Sequence, residues 1–187
     1  MANIKEFKAY HGTSEQNATE IIKSGFIPSE NHDDWLGFGV YFFIDGISCP
    51  INNAREWAVN QSWDKNNGTN KYNRYGIIET IVKVPESKLL DLTSNDGLKG
   101  FNEFRNHIIC KFDHLFKVKR DQADDDQKIC NMAIKWMEAD VLISNLYIKN
   151  KAQRIKKIKS NIVTVMLVAE HEKCISSIRI FEVGEIK

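Results

Sequence analysis

Residues 35–43, WLGFGVYFF, limit the folding of this chain more tightly than any other stretch. Gly37 and Gly39 stand among large apolar and aromatic side chains, and no charge interrupts the run. A buried strand favours β-branched residues at such positions, because glycine weakens a strand and adds nothing to its packing. Glycine there marks a place where a ligand or a second backbone comes close. Gly37 and Gly39, directly before Val40, Tyr41 and Phe42, therefore point to a close approach.

The rest of the chain supplies mixed helix and strand signals. Ser14 reads as an N-cap, Ala18, Ile21 and Ile22 as an apolar stripe, and Gly25 as a helix stop. Pro50 in a first turn, followed by Ile51, Ala54, Trp57 and Ala58, predicts a second helix. After the polar loop DKNNGTNKYNRYG, the stretch IIETIVKV reads as a strand ended by Pro85. Leu98, Phe101, Phe104, Ile108, Phe112 and Leu115 recur every three or four residues and mark a long amphipathic helix. Another helix spans Ile129 to Met137, with Asp124, Asp125 and Asp126 near its positive end. DVLISN, NIVTVMLVA and CISSIRIFEV read as late strands. Helices gathered early and in the middle, with strands late, predict an α+β fold in a single domain of 187 residues.

Composition narrows the function classes. A net charge of +1 argues against a general polyanion binder, so any nucleic-acid contact must come from a local patch. Cys49, Cys110, Cys130 and Cys174 are scattered without a CxxC pair, which suits a reducing cytoplasm, of its own cell or of a target cell after delivery, rather than a zinc ribbon or a disulfide framework. No apolar run reaches membrane-spanning length, and MANIKEFKAYHG has no apolar signal core. His107, Cys110 and His114 fall along one side of the long helix, but three ligands without a fourth make a poor metal site, and none is expected.

Two short motifs carry the chemistry. In YHGT, His11 follows a strand signal, Gly12 permits close backbone approach, and Thr13 adds a hydroxyl just before a helix. GFGV is no dinucleotide fingerprint: the third glycine of G-x-G-x-x-G is Phe42, and no helix start follows. Yet YHGT, a helix ending in SGF, an Asp-containing loop, GFGVYFF and AREWA occur in that order within residues 9–58. This succession resembles the ADP-ribosyltransferases of the diphtheria-toxin and poly(ADP-ribose) polymerase branch, in stand-alone bacterial or phage form.

The resemblance implies NAD lying across split, mostly antiparallel sheets with flanking helices. His11 would bond the adenosine ribose, and the backbone of Gly12 would hold the nicotinamide amide beside Thr13. Tyr41 would stack on the nicotinamide ring with Trp57 as a second wall, since offset aromatic stacking adds to burial. Gly37 and Gly39 would keep the strand bare for the cofactor. Cleavage of the nicotinamide–ribose bond generates an oxocarbenium-like centre, the electronic problem that glycosidases solve with carboxylates. The family's third residue is a Glu, or sometimes Gln, near the start of a late strand. Here the best register of MLVAEHEKCISSIRI puts Met166 at that position, and a slipped register brings in Glu170 or Glu172.

An apolar third residue implies transfer of one ADP-ribose to a macromolecular acceptor, protein or nucleic acid, by a toxin, effector or defence protein. An antitoxin or inhibitor is a further expected partner. The rivals are an NAD glycohydrolase, a catalytically inactive domain that binds NAD or a partner, and an RNA 2′-phosphotransferase, whose additional His and Arg motifs are not visible. The six basic residues of 149–159 read as a solvated loop or an acceptor contact.

Overall fold

Strand β1 (Ile4–Ser14) runs through the middle of the protein and pairs along its whole length with β5 (Arg74–Pro85), from Ile4↔Pro85 to Ser14↔Tyr75. His11 therefore lies inside a long strand rather than after a short one; cross-strand pairing, which local sequence does not report, extends it. The computed structural model describes residues 3–31, 34–112, 114, 116, 122–148 and 162–186. Seven strands form one sheet: β6 (Leu89–Asp91), β7 (Val141–Tyr147), β8 (Ile162–Val168), β2 (Val40–Ile44), β1, β5 and β9 (Ile175–Glu185). Only β6 and β7 run parallel among the described pairs. The strands read as a late group are joined by β1 and β2 near the sheet's centre, and the class remains α+β.

Helices cover the sheet. α1 (Glu15–Ser24) begins directly at the end of β1: Ser14 Oγ accepts from the Asn17 N–H, and Gly25, at φ 82°, closes the last turn onto the Ile21 carbonyl. α2 (Pro50–Ser62) starts on Pro50, whose missing N–H costs nothing in a first turn. The polar loop after α2 folds into a small hairpin, β3 (Trp63–Asp64) and β4 (Thr69–Asn70). α3 (Asn95–Lys111), α4 (Gln122–Trp136) and the single turn α5 (His171–Cys174) are the remaining α-helices among the described residues. Ala54 and Ala58 of α2 and Cys130 and Ala133 of α4 pack with Tyr10, Phe43, Ile77, Val165 and Leu167. Ala18 of α1 and Phe26 pack in a second cluster with Ala9, Phe42, Ile78, Met166 and Val168. Period-two alternation along β2 and β8 thus divides their side chains between two cores. Among the described residues no helix is long and apolar enough to cross a membrane.

Candidate functional site

The sheet opens at its centre. β1 and β2 share only the pairs Ala9↔Ile44 and Tyr10↔Phe43, and beyond them the two strands part. His11, the next residue of β1, crosses the opening: its Nδ1 lies 2.8 Å from the Tyr41 carbonyl oxygen. A carbonyl only accepts, so Nδ1 carries the proton and Nε2 of the neutral ring keeps a free lone pair. Phe26 and Phe42 meet the imidazole edge-to-face, at 5.4 and 6.0 Å between ring centroids. Burial pushes the His11 pKa below its ordinary value, with the Tyr41 hydrogen bond opposing. The ring is thus a neutral, oriented hydrogen-bond acceptor.

A cleft of about 680 Å³ begins at His11. His11, Gly12 and Thr13 line it together with the first turn of α1, Trp57 and Gln61 of α2, and residues 71–74. Helix α2 presses on its inner end: a Cβ at Gly12 would stand 1.8 Å from the Ala54 carbonyl oxygen. Gly12 is required by that contact. Thr13 Oγ1 accepts from Asn17 Nδ2 at 3.3 Å, and the half-buried Trp57 meets Phe43 edge-to-face. Arg74 reaches Glu15 through Nε and Nη2 and Glu185 through Nη1. Glu15 is the only carboxylate residue lining the cleft among the described residues.

Of the residues expected at the site, His11, Gly12, Thr13 and Trp57 come together at this cleft. Tyr41 lies alongside: its backbone binds His11, while its ring packs with the core that includes Phe43 and Leu167. Its hydroxyl donates to the Gly37 carbonyl at 2.7 Å and accepts from the Leu36 N–H at 3.1 Å. Burial raises the Tyr41 pKa, so the phenol stays protonated. The spaces above the glycine pair are filled. A Cβ at Gly37 would meet the Asn131 side chain at 2.4 Å, and one at Gly39 would meet Leu167 and the Val168 carbonyl at 2.7 Å. Both glycines have positive φ, 102° and 153°.

The third position stays away from the cleft. Met166 is fully buried, paired with Phe42 and Ile143, in the cluster opposite Tyr41 and Leu167. Glu170 is exposed after β8 and paired with Lys173, and neither it nor Glu172 lines the cleft. Lys71, Arg74 and Glu15 escape sequence reasoning, since no periodicity or motif joins segments so far apart. The Asn67-Gly68 dipeptide is the one signal for the hairpin beside them. The basic stretch 149–159 and Leu115 lie outside the described residues. Among the described residues no three His, Cys, Asp or Glu side chains are grouped to hold a metal.

Over 139 residues the chain is 33% identical to an uncharacterized protein of Methanocaldococcus jannaschii, a stretch covering 73% of this chain and 58% of that protein. The chain thus spans less than two thirds of that relative's length. No family model matches the sequence, and no solved structure does.

Proposed function

We propose that this chain is an NAD-dependent mono-ADP-ribosyltransferase of the ADP-ribosyltransferase fold, acting on a macromolecular acceptor from the cleft at His11. The observation that carries the reading is His11 at the parting of β1 and β2, its Nδ1–H fixed and its Nε2 free to accept from a ribose hydroxyl. Gly12, Thr13 and Trp57 adjoin it in one cleft, where an indole face suits a nicotinamide ring. Lys71 lines the same cleft and suits a diphosphate, while Arg74 beside it is held by Glu15 and Glu185. The neutral imidazole orients the sugar while the nicotinamide–ribose bond breaks, and the acceptor attacks the anomeric carbon.

A second reading, a domain that binds NAD or a partner without turnover, is favoured by the carboxylates. Glu15 is tied to Arg74, and among the described residues the cleft offers no other carboxylate to face an oxocarbenium centre. Incubation with NAD labelled in the adenosine half, with and without cell lysate, separates these readings. Nicotinamide release with label on a macromolecule supports the transferase. Release without labelled acceptor identifies a glycohydrolase, and binding without release identifies the inactive domain. His11→Ala should weaken NAD binding; an unchanged NAD affinity refutes the ribose role.

A further inference from the structure

The hairpin at the cleft's rim has chemistry of its own. Gln61 and Lys71, which flank it in sequence, both line the cleft, and the Lys71 N–H closes its base onto the Ser62 carbonyl at 2.6 Å. Trp63 opens the hairpin with half of its surface, 50%, exposed. Isolated exposed apolar side chains are common, but this one is followed in the hairpin by Lys65, Asn66 and Asn67 and pairs with Asn70. Asp64, the hairpin's acid, is consumed internally: Oδ1 accepts from the Asn66 and Asn67 N–H groups, and Oδ2 from Asn67 Nδ2. Lys65 has no carboxylate at ion-pair distance among the described residues, Lys71 acts on the Asp64 carboxylate only through its charge, and the side-chain amides of Asn66 and Asn73 make no hydrogen bond there.

We infer that hairpin 63–70 binds the acceptor, and that the acceptor is single-stranded nucleic acid. An indole stacks on any base, amides reach base edges, and lysines meet phosphates. An exposed indole in a hairpin that carries Lys65 and precedes Lys71 favours a strand of flat, anionic units over a protein acceptor. The assignment of acceptor rests on the transferase reading, whereas binding of the strand does not. In the transfer, an oxygen or nitrogen of the strand bonds to the ribose anomeric carbon as the bond to nicotinamide breaks. The electron pair leaves with nicotinamide, and the nucleophile's proton passes to solvent.

The test uses the full chain and fluorescein-labelled single-stranded RNA and DNA of mixed sequence, followed by anisotropy without NAD. Binding should weaken by about tenfold or more in Trp63→Ala, the loss that follows removal of one base–aromatic stack, and should recover in Trp63→Phe. Lys65→Gln should lower the salt slope by about 0.7, the value for one phosphate contact on a single strand. Thermal melting controls for folding. No binding by the wild type, or equal binding by folded Trp63→Ala, overturns the inference. So does labelled ADP-ribose that appears on added protein and never on the oligonucleotide. If the oligonucleotide binds through Trp63 but NAD is never consumed, the transferase reading fails and the nucleic-acid site stands.

Discussion

Gly12→Ala tests how α2 is held against β1. The added methyl carbon would stand 1.8 Å from the Ala54 oxygen, 2.6 Å from its carbonyl carbon and 3.2 Å from its Cα. Ordinary contact begins near 3.4 Å, so helix and strand must separate by about 1.6 Å. The obstacle is backbone, which cannot rotate aside as a side chain would. Ala54 and Ala58 are fully buried on the same helix, so the separation also opens the core behind them. Overpacking of this kind costs about 1–3 kcal/mol, and the backbone contact puts Gly12 at the upper end. For a chain of this size each kcal/mol lowers Tm by about 2–4 °C, so about 3 kcal/mol becomes a drop of about 6–12 °C. Gly100→Ala is the matched control: it lies in α3 with nothing within 4 Å of an added Cβ. That change should stabilise by about 0.5–1 kcal/mol and raise Tm slightly. Calorimetric scans of the two variants beside the wild type measure both shifts. A Gly12→Ala protein that melts within 2 °C of the wild type (about the effect of 1 kcal/mol or less) would refute the claim that this contact fixes α2.

Three further outcomes are expected. Because burial depresses the His11 pKa, the unfolded chain binds more protons than the folded one below its own value near 6.5. Stability is therefore full above that pH and falls as the solution is acidified, so Tm should drop more steeply from pH 7 to 5 in the wild type than in His11→Gln; parallel curves count against a buried neutral imidazole. Arg55→Met breaks the two-pronged bond from α2 to Glu182 on β9, Nε to Oε1 at 2.8 Å and Nη2 to Oε2 at 2.7 Å. Both side chains are partly exposed, so the cost is about 1–2 kcal/mol, and an unchanged urea midpoint would exclude it. Tyr41→Phe keeps the ring but leaves the Leu36 N–H and the Gly37 carbonyl without their hydroxyl partner, at about 1–3 kcal/mol. If the proposed transferase reading holds, nicotinamide release should survive in this variant and fall at least about tenfold in Tyr41→Ala; if the Phe variant is equally inactive with its Tm intact, the hydroxyl acts in that chemistry.

What the sequence discloses here is chemistry confined to neighbouring residues. The ends of α1 are legible because Ser14 and Gly25 act within one turn of the helix they bound, and Pro50 announces α2 for the same reason. The reach of β1 is not legible, since eleven cross-strand pairs with β5 decide it. Apolar periodicity identifies α3, yet Leu98, which opens the stripe, is 46% exposed: period fixes a face, not its depth of burial. His11, Gly12, Thr13 and Trp57 lie in the short motifs YHGT and AREWA and reach one cleft. Lys71 and Arg74 carry none, and they arrive there only because β5 folds back beside the end of β1.

The glycine pair that constrains the chain so strongly has its own geometry to satisfy. Positive φ at Gly37 and Gly39 turns the backbone so that the Gly37 carbonyl and Leu36 N–H both reach the Tyr41 hydroxyl. Gly39 then brings the start of β2 close enough to β8 that no Cβ fits beneath the Val168 carbonyl. With β2 drawn toward β8 on one side and paired with β1 at only two positions on the other, the Tyr41 carbonyl is left without a β1 backbone partner. His11 supplies that partner from its side chain. The two motifs are therefore coupled through one hydrogen bond: the glycines set where the Tyr41 carbonyl lies, and the carbonyl sets which nitrogen of His11 keeps its lone pair. On this reasoning a side chain at Gly39 would disturb the cleft from a distance, by moving the acceptor that orients the imidazole.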